Sequence, residues 1–136
     1  MDEELHPNLF KPLLDFIPYF ESNRKKYNCS EEMSFDPYIY HEPAKKFVEQ
    51  LYNSQFILSF DWMSWQSEAR KYFDNLLLID EADLDTIRKL FTTIIRADRF
   101  NAGTYALMIY NGVILCMLMR LKALIDEIED EKKGYL

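Results

Sequence analysis

Seven consecutive apolar residues, Val113-Ile-Leu-Cys-Met-Leu-Met119, precede Arg120 and a sparser stripe of Leu124, Ile125 and Ile128. A helix over this run is apolar on every face, so other elements must wrap it. The run is short of the roughly 20 apolar residues that a membrane helix needs, and Asn111-Gly112 breaks it from the apolar residues before it. It predicts a helix from Val113 to Ile128, the longest in the chain, buried in its first half and leaving the core where acids take over.

What can wrap such a helix is limited by the turn chemistry available. The 136 residues include only 3 glycines, and all 5 prolines precede Lys45, which suits helices better than a many-stranded sheet. The expected fold is all-α: a compact single-domain bundle of about six helices around a central C-terminal helix, with at most one short strand pair. One globular domain should span 1–136, with 1–8 and 130–136 frayed and 21–42 an irregular loop.

Leu9 to Phe20 reads as one short helix that Pro18 kinks or ends. Pro43 opens a helix with Phe47, Val48, Leu51 and Tyr52 on one face. Phe56, Leu58, Phe60 and Trp62 alternate with polar Ser59 and Asp61, as a strand beside Tyr38-Ile39-Tyr40 or as an extended connector. Asp61 fits the N-cap of a helix carrying Trp62, Trp65, Ala69, Tyr72 and Phe73. Asp80, Glu81 and Asp83 suit the positive end of the next helix, whose apolar arc is Leu84, Ile87, Leu90, Phe91, Ile94 and Ile95. Asn101 is placed to cap a short helix through Tyr110, and Gly112 to close it in the left-handed conformation.

The formal charge is −7, yet residues 83–125 hold 3 acids against 6 bases, so a basic centre sits in an acidic frame. That frame argues against nucleic acid as a partner. The Asn101–Tyr110 helix also lacks the Arg or Lys that a DNA-reading helix carries. The acidic N-terminus has no apolar core of a signal peptide, which together with the short apolar run points to a cytoplasmic chain without a membrane segment. Cys29 and Cys116 are expected as free thiols. No Gly-rich phosphate loop, no Gly-x-Ser-x-Gly and no zinc spacing around His6 or His41 occurs, so no catalytic residue, metal or cofactor is expected.

Arg96, Asp98 and Arg99 make the sharpest polar cluster. Two guanidiniums one turn apart, with Thr93 a turn earlier and the amides opening the Asn101 helix, would grip a phosphate or carboxylate. Alternatively both arginines satisfy helix-terminal carbonyls and nearby acids. Trp62 and Trp65 are either an aromatic contact surface or core. Arg120, on the edge of a buried face, needs oxygens from its own chain, with Asp98 and Asp83 the candidates.

Phe60-Asp61-Trp62 with Trp65, Ala82-Asp83-Leu84, Thr93, Arg96-Ala-Asp-Arg99-Phe100 with Gly103, Gly112 and Leu118–Leu121 together resemble a family of small uncharacterised bacterial proteins catalogued as a domain of unknown function. The resemblance covers roughly Phe47 to Leu124 and implies a compact domain; it brings no activity. Gly103 and Gly112, set where helices would meet, are expected to be structural. The expected function is a non-catalytic protein-interaction or regulatory module of a bacterium or mobile element, acting on a protein partner through an acidic and aromatic surface. Two alternatives stand beside it: a small anion- or nucleotide-binding domain, conceivably an enzyme, centred on Arg96 and Arg99, and a structural homo-oligomer that covers the Val113 helix with a symmetry mate.

Overall fold

The computed structural model describes residues 7–29 and 38–133. Its elements in chain order are α1 (Pro7–Leu14), α2 (Ile17–Glu21), β1 (Tyr27–Cys29), β2 (Tyr38–Tyr40), α3 (Glu42–Asn53), α4 (Gln66–Asp74), α5 (Leu76–Ile79), α6 (Leu84–Phe100), α7 (Thr104–Tyr110) and α8 (Val113–Lys133). Two of these helices, α2 and α5, are single turns of 5 and 4 residues, so six longer ones form the body. The protein is a mostly α-helical domain with one two-stranded antiparallel sheet.

The apolar run does organise the fold. Helix α8 is the longest at 21 residues, and Val113, Ile114, Met117, Leu118 and Leu121 are fully buried. Helices α1, α2, α5, α6 and α7 pack around it. The apolar Val113 face is therefore covered by the chain's own helices, which removes the need for a symmetry mate there. Helix α6 is as central: its apolar arc from Ile87 on and also Thr92, Thr93 and Ala97 are buried, while Leu84 is half-buried. Between α1, α3 and α6 lies an aromatic cluster, with Phe10 edge-on to Phe56 at 4.8 Å and Phe91 edge-on to both Phe47 and Phe56. No single helix among the described residues is long and apolar enough to cross a membrane; α7 and α8 combine that length and apolarity only as a pair bent by 73°.

Local readings succeed or fail for identifiable reasons. Pro18 starts a helix: the chain turns at Asp15–Phe16, and Pro18 sits in the first turn of α2, where its missing N–H is no loss. Tyr38–Tyr40 pairs with Tyr27–Cys29 and not with Phe56–Trp62, which is an extended connector anchored by the Leu58 N–H on Thr92 Oγ1 at 2.9 Å. The span 21–42 is accordingly not all loop. Helical structure also reaches Pro7 at one end and Lys133 at the other, into the stretches expected to fray. His6 lies outside the described residues; His41 is the N-cap residue of α3, and Pro43 lies in its first turn.

Asp61 caps something other than a helix. Its carboxylate accepts from the Ser64 N–H and hydroxyl, closing a turn through Trp62–Trp65, and α4 begins only at Gln66. Asp83 is the N-cap of α6, accepting from the Thr86 N–H at 2.8 Å. Gly112 has φ +84°, as its place between two helices requires.

Candidate functional site

Asp98 is the residue on which the α6–α7 junction turns. One of its carboxylate oxygens accepts from the backbone N–H of Gly103 at 3.2 Å, that of Tyr105 at 3.0 Å and the Tyr40 hydroxyl at 3.3 Å. It thus caps α7 from the preceding helix. Asn101, expected in that role, instead ends α6, its N–H bonding the Ala97 carbonyl, and the N-cap position of α7 belongs to Gly103 at φ +102°. A side chain at Gly103 would collide with Tyr38, whose ring lies 2.5 Å from the position a Cβ would take. Tyr40 completes the joint by accepting from the Ala106 N–H, and the buried Tyr105 hydroxyl donates to the Ala44 carbonyl at 2.8 Å. Burial first, then the neighbouring Tyr40, pushes the Tyr105 phenol well above its ordinary range, so it stays a neutral donor.

This joint forms one wall of a cleft of about 760 Å³ between α4, the end of α6 and α7. Trp62, Gln66, Arg70 and Phe73 line one side, and Thr93, Ala97, Phe100, Leu107 and Met108 the other. The Asp61 turn aims Trp62 into it, where the indole lies tilted against the Phe100 ring at 5.9 Å. Trp62 and Phe73 are half-buried, but four large apolar side chains around the cleft are bare: Met63 is 62% exposed, Phe100 77%, Leu107 54% and Tyr110 80%. A shallower hollow beside it shares Tyr38, Gly103 and Leu107 and adds Tyr27 and Tyr110. Charged groups are sparse, since only Arg70 and Asp74 of the lining residues carry charge.

The candidate residues divide between different faces of α6. Thr93 and Asn101 line the cleft, but the Thr93 hydroxyl is buried and donates to the Lys89 carbonyl at 2.8 Å. Arg99 leans the other way, onto α3, donating to the Tyr52 hydroxyl at 3.0 Å and lying over its ring. Arg96 is half-buried, with no hydrogen bond or ion pair to another described residue, and neither arginine lines the cleft. The amides at the start of α7 are already bonded to Asp98, so the converging donor set expected around Arg96 and Arg99 is not assembled.

The tryptophans part as well. Trp65 packs edge-on against Phe60 at 5.9 Å, with the Lys89 ammonium over both rings, while Trp62 faces the cleft. Arg120 takes neither Asp98 nor Asp83: its Nε donates to the Ala82 carbonyl at 2.8 Å, with Glu127 3.9 Å away. A backbone carbonyl at the turn before α6 supplied the oxygen for which a carboxylate was expected.

Sequence reasoning missed Arg88, Phe100 and Tyr110. Arg88 donates to the carbonyls of Gln55 and Phe56 and lies over the rings of Phe10 and Phe56. Phe100 left a trace, since it falls outside the apolar arc of its own helix and an aromatic there has nothing of its own to bury against. Among the described residues no three His, Cys, Asp or Glu side chains come together as a metal site. Cys116 is a free thiol whose pKa is raised by burial and then by Asp80 beside it.

The chain belongs to a family described as a Family of unknown function (DUF6508), whose sequence profile matches residues 5–127. No curated protein and no solved structure matches it.

Proposed function

We propose that the protein is a non-catalytic protein-interaction module, regulatory in a bacterium or mobile element and cytoplasmic, whose working surface is the aromatic cleft between α4, α6 and α7. The observation carrying this reading is the exposure of Met63, Phe100 and Leu107 around one cleft, with Tyr110 on the hollow beside it, in a chain that buries most other aromatics and aliphatics of α6 and α7. Interface centres are rich in aromatics and methionine and poor in charge, which describes this lining. Asp74 is the one acid lining the cleft, so the chain's other acids lie outside it, where they would turn away acidic competitors and hasten a basic partner.

A photocrosslinking residue in place of Leu107, in cells making the protein, tests the reading. A discrete protein adduct is expected from Leu107 and not from a control position at Glu127 on α8. Equal labelling at both positions, or none at Leu107, would reject it.

One observation favours a second reading, an anion-binding role. Arg88, Arg96 and Arg99 form no close ion pair with a carboxylate of the described residues, which leaves positive charge concentrated on one side of α6. Calorimetry with phosphate, nucleotides and small carboxylates, on wild type and on Arg96→Ala/Arg99→Ala, decides it: heat of binding lost in the double variant supports the role, and no heat in the wild type removes it.

A further inference from the structure

The cleft and its surroundings offer both halves of an interface, a hollow and the side chains to fill one. Phe100 projects at its edge and Tyr110 at the hollow beside it, while Trp62, Phe73 and Met108 line its floor and wall. We propose that the partner fitting this surface is a second copy of the chain, related by a two-fold axis, each copy setting its projecting aromatics against the other's hollow. This rests on the interaction reading above and names its occupant. A two-fold interface demands that one patch be complementary to itself, and a patch that carries projections beside a recess meets that demand.

Charge singles out the same surface. Two copies at −7 each repel over most of their surfaces, so they can meet closely only where acids are scarce. The lining of the cleft is neutral, with one base, Arg70, and one acid, Asp74. These lie one turn apart on α4, both exposed, and neither forms an ion pair with another described residue. When two α4 helices meet antiparallel across a two-fold axis, Arg70 comes to face the partner's Asp74, and the pair is made twice.

The area is of the right order. At 77% and 80% exposure, with roughly 200 Å² per aromatic side chain, Phe100 and Tyr110 alone offer about 300 Å². Met63, Leu107 and the rim of the cleft extend this toward the roughly 800 Å² per partner of a stable interface.

Sedimentation equilibrium from micromolar to millimolar protein tests the proposal. The wild type is expected to pass from one to two chain masses. Phe100→Asp/Tyr110→Glu, changed only at exposed positions, is expected to stay monomeric with an unaltered circular dichroism spectrum. Arg70→Asp should weaken the dimer about tenfold by setting like charges opposite, and Arg70→Asp/Asp74→Arg should restore it. A wild type that remains monomeric, or a dimer that survives both aromatic replacements, overturns the proposal. A monomer that still yields an adduct with a different protein at Leu107 defeats self-association and leaves the interaction reading standing; a monomer with no adduct defeats both.

Discussion

Asp98→Ala should be the most damaging single change at the polar joint between α6 and α7. The replacement strands three donors at once, the N–H groups of Gly103 and Tyr105 and the hydroxyl of Tyr40. An N-cap side chain is worth about 0.5–2 kcal/mol, and a hydrogen bond to a charged group about 1.5–3 kcal/mol. The three bonds share one oxygen on a half-buried residue, and water reaches part of the site, so simple addition overcounts. A loss of about 3 kcal/mol remains, which for 136 residues lowers the melting temperature by roughly 10 °C. Asp98→Asn keeps an acceptor oxygen and gives up only the charge, so it should cost about 1 kcal/mol. Urea denaturation followed by circular dichroism reads the series. A loss below about 1 kcal/mol for Asp98→Ala, or equal losses for Asn and Ala, would refute the claim that this carboxylate holds the joint.

Arg88→Lys retains the charge but not the two-pronged grip on the Gln55 and Phe56 carbonyls, and should cost about 1–2 kcal/mol in denaturant titrations, with Arg88→Ala costlier. Gly103→Ala meets both a φ of +102° and the Tyr38 ring, whereas Gly112→Ala meets only a φ of +84° in open space. The second should therefore cost about 1 kcal/mol and the first at least twice as much, by thermal melts of the two variants. Arg120→Met should cost only about 1 kcal/mol, because it removes one bond to the Ala82 carbonyl and a distant, exposed Glu127; a loss of about 4 kcal/mol would instead mark a buried ion pair. Hydrogen bonds from the Thr86 side chain and backbone N–H hold the Asp83 carboxyl below the usual range, so its stabilisation is present above that range and is lost as the pH falls through the lowered pKa. Asp83→Ala should accordingly cost about 1 kcal/mol near neutrality and progressively less in acid, measured by melts across pH.

The fold was legible where a single element explains its own pattern. Val113–Met119 announces a core helix without reference to anything else, although Leu115 and Cys116 stay half-buried and Met119 is exposed, and Asp83 and Gly112 act within one turn of their own positions. Pairings between distant segments were not legible in the same way. Three residues at Tyr27–Cys29 show too little alternation to mark a strand, so the Phe56–Trp62 run, equally readable as an extended connector, was the one partner the sequence offered Tyr38–Tyr40, and the connector is what forms. Asn101 was the cap the sequence suggested for α7, and Asp98, a turn earlier on the preceding helix, gave no local sign of that role. The backbone at Gly103, forced to positive φ and packed under Tyr38, turns the first amides of α7 toward Asp98 and decided between them.

Why the arginines drew attention away from the cleft follows from the geometry of α6. At 3.6 residues per turn, Arg88, Thr92 and Arg99 share one stripe, and all three are committed to the chain before α4: Gln55 and Phe56, Leu58, and Tyr52. Thr93, Ala97 and Phe100 share a second stripe, and that one opens onto the cleft. Arg96 falls between the two, which accounts for its half-burial without a bond to another described residue. Charge in a sequence is conspicuous, yet the stripe holding most of it is occupied in supporting a connector. The second stripe carries no charge, and its last residue, Phe100, costs the folded protein exposed aromatic surface that an interior position would have spared. Such exposure is relieved only when something covers it, so the end of the uncharged stripe is a place where association would lower the free energy of this protein.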